Sequence, residues 1–210
     1  MPAAGNRRAN VMASESLGCH SSGLFRRLPF ARRAGSSHRA SPLSSARSDK
    51  TVLDIGSSTG GFTDAALQKG AKMSYALDVG TNQLAWKLRQ DDRVVVMENT
   101  NFRYSKKDDF TSGQPDFATI DVSFISLHLI LPNLHSIIKE GGSVVALIKP
   151  QFEAGREKVG KHGIVHDPKT HLEVVQDIMA FSASVGYDVC ELDFSPITGG
   201  QGNIEFLIHL

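Results

Sequence analysis

The sequence predicts an α/β fold: a doubly wound, mostly parallel sheet of seven strands that ends in a C-terminal antiparallel hairpin. Three observations carry that prediction. Between residues 51 and 148, short apolar runs alternate with segments of helical periodicity. The first run enters a Gly-rich turn, Gly56-Ser-Ser-Thr-Gly-Gly61, and the chain leaves that turn as a helix. The last two runs follow one another with only a Gly-containing turn between them, as in a hairpin at a sheet edge.

Taken in order, Thr51, Val52, Leu53 and Ile55 read as a buried strand closed by Asp54 and Gly56, with a helix over 62–68. Residues 72–78 form a second strand that ends in an acid. A short helix over 83–89 has Leu84 and Leu88 on one face, and Trp86 on its flank reads as packing. Residues 94–97 are the third strand, followed by a polar loop over 98–101 and a charged connector over 102–113. The fourth strand, 116–121, again ends in an acid. Over 127–138 an apolar helix carries His128 and His135 in structural roles, and Pro132 predicts a kink or a late start. The fifth strand, 143–148, is nearly all apolar, as a central parallel strand should be, and runs straight into Lys149. A basic loop over 151–167 exceeds ordinary connections and reads as functional. Pro168 then opens a long helix to residue 185, and 187–194 and 203–210 are the closing strands.

Charge divides the chain in two. Residues 1–48 hold eight Arg, no Lys and one acid (Glu15), a net of +7, together with ten Ser. Residues 49–210 carry a net of −6. An Arg-rich, Ser-rich, acid-poor segment without periodicity predicts a disordered tail with the composition of an organellar transit peptide, hence a mitochondrial or chloroplast location; without that role the location is cytoplasmic. Residues 49–210 are the folded domain, long enough for one well-packed core. No run approaches the about 20 apolar residues of a membrane helix. Cys19 and Cys190 fall one on each side of the divide and make no metal or redox motif. His162 and His166 stand four apart across a Gly loop without a third ligand, so no metal is expected.

In an open α/β sheet, ligands bind beyond the carboxyl ends of the strands. Asp54 with the Gly turn, Asp78, Asn101, Asp121 and Lys149 all fall there. Glu205, inside the last strand, reaches the same edge if that strand runs antiparallel. Burial beside an apolar strand disfavours the charged form of Lys149, whereas Asp121 and Glu205 favour it and fix its direction.

The turn's spacing excludes two ligands. A phosphate-binding loop needs Gly-Lys where this chain has Gly61-Phe62, and a dinucleotide fingerprint needs Gly at position 58, which is Ser. What remains, Asp-x-Gly-x3-Gly-Gly, resembles the turn of S-adenosylmethionine-dependent methyltransferases. That reading assigns Asp54, Gly56, Ser58, Thr59, Gly60, Gly61 and Phe62 to the methionine part of the cofactor. Asp78, 22 residues beyond Gly56, is assigned to its ribose hydroxyls, with Asn101 beside them.

Longer motifs sharpen the resemblance. Asp-Ile-Gly-Ser-Ser-Thr-Gly-Gly-Phe-Thr-Asp, Leu-Asp-Val-Gly, Gln-Leu-Ala-Trp-Lys-Leu-Arg, Asp-Val-Ser-Phe-Ile-Ser-Leu, Ile-Lys-Pro-Gln-Phe-Glu-Ala-Gly-Arg and Gly-Asn-Ile-Glu-Phe-Leu occur in that order. From residue 52 to 210 the chain resembles the haemolysin A-type (TlyA) ribosomal RNA methyltransferases of the FtsJ class. The resemblance implies a Rossmann-like methyltransferase fold, S-adenosylmethionine as cofactor, and 2′-O-methylation of cytidine in ribosomal RNA or a ribosomal subunit. It also implies three members of a Lys-Asp-Lys-Glu tetrad: Asp121, Lys149 and Glu205. RNA contact falls to Arg156, Lys158 and Lys161. The family's first tetrad lysine, in a Ser-Arg-Gly-Gly-x-Lys-Leu segment behind an S4-type RNA-binding domain, has no counterpart in this sequence. The alternative reading is therefore a cofactor-binding assembly or interaction protein that does not catalyse.

Overall fold

The structure is a computed structural model and describes residues 49–210, so the expected tail at 1–48 lies outside the described residues. Seven strands form one sheet in the order β3-β2-β1-β4-β5-β7-β6. They are β1 (Thr51–Ile55), β2 (Met73–Leu77), β3 (Val94–Met97), β4 (Phe117–Ile120), β5 (Ser143–Ile148), β6 (Glu191–Phe194) and β7 (Phe206–His209). The first five run parallel; β7 pairs antiparallel with β5, and β6 antiparallel with β7. The helices are α1 (Gly61–Gln68), α2 (Trp86–Arg89), α3 (Leu131–Ile137), α4 (Pro150–Glu153) and α5 (Pro168–Val185).

Both sheet faces are covered, which is why the central strands β1, β2 and β4 are buried at every position rather than at alternate ones. Val52, Ala76, Phe117 and Val145 face α1 and the start of α2 through Phe62, Ala66, Leu84 and Leu88. Leu53, Tyr75, Ala118 and Ala146 face the other way, onto Leu131, Leu134, Val175 and Ile178 of α3 and α5. Asp167 caps α5, accepting the Lys169 and Thr170 N–H groups at 3.1 and 3.2 Å, and Pro168 occupies its first turn.

Several expected boundaries move, for local reasons. The helix expected over 83–89 begins only at Trp86: Ala85 is extended, with a ψ of 139°, and its N–H bonds to the Thr59 carbonyl at 3.1 Å, while the N–H groups of Asn82, Gln83 and Leu84 ahead of it bond to the Glu98 carboxylate. Trp86 does not pack: it is 71% exposed, and Leu84 and Leu88 do the burying. The segment 127–138 makes the late start that Pro132 predicted: a 3₁₀ turn over Leu127–Leu129, then α3. Its histidines are structural. His128 stacks on Phe181 with ring centroids 4.0 Å apart and bonds to Asp177 at 2.8 Å, and His135 meets Tyr187 edge-on. The long loop after β5 contains α4 and two 3₁₀ turns. Strand β7 starts at Phe206, so Glu205 sits one residue ahead of it rather than within it. The antiparallel pairing Ile148↔Phe206 still brings Lys149 and Glu205 to one edge.

Candidate active site

The carboxyl ends of β1, β2, β4 and β5 converge on the Gly turn. Beneath it, Asp54 is fully buried and saturated. Its oxygens accept from the Thr63 N–H at 2.9 Å, the Thr63 hydroxyl at 2.7 Å and the Thr119 hydroxyl at 3.0 Å. The expected cofactor contact is therefore corrected: Asp54 reaches no open surface and instead ties α1 and β4 to the end of β1. Desolvation raises its pKa from 3.8 to about 6, against the pull of the two threonines. A raised carboxyl contributes stability below its unfolded pKa of 3.8 and loses it as pH climbs through about 6. The loss is roughly 3 kcal/mol. In urea unfolding from pH 3.5 to 7, the wild-type stability should fall relative to Asp54→Asn by that order; parallel profiles would contradict it.

Above Asp54, Gly56 has a positive φ of 82° and lies where a Cβ would stand 2.3 Å from the Asp121 carbonyl oxygen. The cofactor turn and the loop that carries Asp121 are thus in backbone contact. Ser58 and Thr59 are exposed, and Gly60 occupies the N-cap of α1 with a φ of 93° and no side-chain cap. Gly61 and Phe62 open the helix, and the N–H of the next residue, Thr63, is taken by Asp54 from below, so the positive end of α1 lies beside the exposed Ser58 and Thr59.

Asp78 is placed at the rim of the same turn. Its oxygens accept the Ser58 N–H at 2.8 Å and the Gly80 N–H at 2.7 Å, each keeping lone-pair capacity for a hydroxyl donor. Asn101 is exposed, and its Oδ1 accepts the Arg103 N–H at 3.1 Å, capping a 3₁₀ turn. The residue that shapes this side of the crevice is Glu98. It accepts three successive N–H groups, from Asn82, Gln83 and Leu84, and pairs with Arg89. Those bonds hold its pKa down at about 2, the Arg89 bond first among them.

At the other end of the crevice, Lys149 Nζ lies 2.5 Å from Asp121 Oδ1 and 3.4 Å from Ser123 Oγ. Two of its three N–H directions are held, which leaves one for a ligand. Glu205 acts on it through space only. Its carboxylate is buried and takes the Gln151 amide at 3.0 Å; burial pushes its pKa up, while the Lys149 charge and that hydrogen bond pull it down. Phe124 stands beside this pair, 90% exposed at a φ of 63°, with its ring 4.9 Å from that of Phe152. A bulky side chain in that region is strained by of order 1–3 kcal/mol.

A model of the FtsJ-like methyltransferase family matches residues 39–210. The chain belongs to that family. Among relatives of this FtsJ-like chain, the Bacillus subtilis protein named "Putative rRNA methyltransferase YqxC" is 68% identical over 162 residues, covering 77% of this chain and 58% of its own length. The Mycobacterium tuberculosis "16S/23S rRNA (cytidine-2'-O)-methyltransferase TlyA" is 41% identical over 161 residues, 77% of this chain and 60% of its own. A solved structure, "a putative hemolysin from Lactococcus lactis", superposes with a TM-score of 0.76 at 60% identity over 78% of each chain. The FtsJ-like chain thus spans under two thirds of the length of these two named relatives.

The expected RNA contacts lie on the loop after α4, in the two 3₁₀ turns Arg156–Lys158 and Lys161–Gly163. All three are exposed, but Lys158 is paired with Glu173 at 2.7 Å. Among the described residues no cluster of His, Cys, Asp or Glu could hold a metal ion, and no helix is long and apolar enough to cross a membrane. Glu98, Ser123, Phe124, Gln151 and Glu153 were missed by the sequence reading. Four of them lie inside motifs already singled out, so the signal available was proximity to Asp121 and Lys149 in the chain.

Proposed function

We propose that this chain is the methyl-transferring part of an S-adenosylmethionine-dependent ribosomal RNA methyltransferase acting on the ribose 2′-oxygen of a cytidine. The observation that carries the proposal is Lys149, held by Asp121 and Ser123 at the open edge of a Gly turn built for a nucleoside cofactor. The cofactor supplies an electrophilic methyl group when bound. Gly56, Ser58, Thr59, Gly60, Gly61 and Phe62 would hold its methionine end and Asp78 its ribose.

A ribose hydroxyl is a poor nucleophile whose oxygen gains negative charge as its proton leaves, so it needs a preorganised cation beside it. The remaining N–H direction of Lys149 meets that need. Its ion pair with Asp121 favours orienting the oxygen and stabilising its charge, and the hydroxyl proton passes to solvent water as the oxygen takes the methyl group. Gln151 and Glu205 keep the far side of the lysine polar and fixed.

RNA, rather than a small acceptor, is supported by Phe124. An exposed, strained aromatic at the rim suits stacking on an unpaired base. Arg156 and Lys161 offer phosphate contacts, although the net charge of −6 over 49–210 means that this domain supplies little of the electrostatic affinity by itself. Cytidine as target draws its support from the named relatives. An organellar location draws its support from the composition of residues 1–48, which suits a transit peptide. Transfer of labelled methyl from S-adenosylmethionine to ribosomal subunits and to naked ribosomal RNA tests the proposal. Label in RNA is expected. Calorimetric cofactor binding without any label would instead support a non-catalytic assembly role.

A further inference from the structure

The loops after β4 and β5 carry the chemistry, and they are braced against each other at three levels. Lys149 pairs with Asp121, and the Phe152 ring rests on that of Phe124. Deeper, Glu153 accepts the Leu127 N–H at 2.9 Å and also engages the Ser126 hydroxyl, whose oxygen accepts the His128 N–H at 3.1 Å. The β5 side of the brace is a single unit. In α4, Phe152 N–H donates to the Lys149 carbonyl at 2.8 Å and Ala154 N–H to that of Pro150 at 2.9 Å. Lys149, Phe152 and Glu153 therefore share one rigid turn. On the β4 side, Ser126 and Leu127 open a 3₁₀ turn closed by the Leu129 N–H on the Ser126 carbonyl at 3.1 Å and the Ile130 N–H on that of Leu127 at 3.0 Å, and ahead of this turn Phe124 stands at a positive φ that a phenylalanine keeps only when its surroundings impose it.

We propose that Glu153 is a positioning residue, whose carboxylate fixes Ser126 and Leu127 and so holds Ser123 against Lys149 and Phe124 outward at the rim. It touches neither cofactor nor RNA. The role needs an acceptor oxygen at this place rather than a charge, so glutamine should serve where alanine fails. That Phe124 engages RNA rests on the function proposed above; the brace itself does not.

Hydrogen exchange on the full chain separates the two. In Glu153→Ala, amides over 123–127 should exchange about tenfold faster, those of the cofactor turn over 56–63 should be unchanged, and Glu153→Gln should stay within about threefold of wild type. In methyl transfer, Glu153→Ala should raise KM for RNA several-fold with the S-adenosylmethionine dissociation constant unmoved. Wild-type exchange in Glu153→Ala, equal acceleration in both variants, or acceleration spread over the whole domain would overturn the proposal. Local acceleration in a chain that transfers no methyl group would uphold the brace and refute the activity.

Discussion

Lys149→Ala should lower methyl transfer to ribosomal RNA by roughly a hundredfold to a thousandfold while cofactor affinity stays within about twofold. The side chain lies beside Asp121 and Ser123, away from the Asp78 end of the crevice, so its loss removes stabilisation of the reacting oxygen and leaves the cofactor contacts intact. Truncation also strands Asp121 without its cation, so a modest additional cost in stability is expected. Single-turnover transfer rates and calorimetric titration check the split. A variant with normal rates, or one that loses cofactor binding in step with activity, would contradict the role.

Gly56→Ala should damage stability and catalysis together. Its Cβ would stand 2.3 Å from the Asp121 carbonyl oxygen and 2.9 Å from the carbonyl carbon, at a φ of 82°. Backbone cannot swing aside as a side chain can, so either the turn or the Asp121 strand end must move. A loss of about 2–3 kcal/mol is expected from the conformation and the clash, with transfer lowered well beyond what the unfolded fraction explains. Gly186→Ala is the control. It carries a comparable conformational cost at a φ of 112°, and its Cβ would meet the His135 ring at the C-terminal end of α5, outside the crevice. It should lose stability and keep more of its turnover in the folded fraction. Equal activity losses at matched stability would remove the claim that the Gly turn positions Asp121.

The sheet was legible because its signals are local: apolar runs of strand length, a Gly turn, and a proline opening the long helix α5. Strand ends also placed Asp78, Asp121 and Lys149 correctly, since in a parallel sheet the residue after a strand must fall at the crevice. What sequence could not show is what each side chain touches there. Asp54 looks like the other strand-end acids, yet Thr63 and Thr119, 9 and 65 residues away, close over it. Asn101 caps its own turn through its Oδ1, a local bond that the strand pattern does not show. Trp86 is exposed although its flank position suggests packing, and Glu98, in a polar loop by sequence, gathers three N–H groups from a segment 14 to 16 residues away, which no local pattern shows. Glu205 kept its expected edge but not its expected partner: Gln151, two residues past Lys149, stands between the reading and the geometry.

The central claim is that Lys149 serves a ribose oxygen, so the position of the methyl group tests it most directly. Ribosomal RNA labelled by this chain would be digested to nucleosides and the labelled product compared with 2′-O-methylcytidine and with base-methylated cytidines, with alkali resistance of the adjoining phosphodiester as a second reading. Label in 2′-O-methylcytidine, absent with Lys149→Ala, is the predicted result. Label on a base, or label that persists without Lys149, would contradict the account.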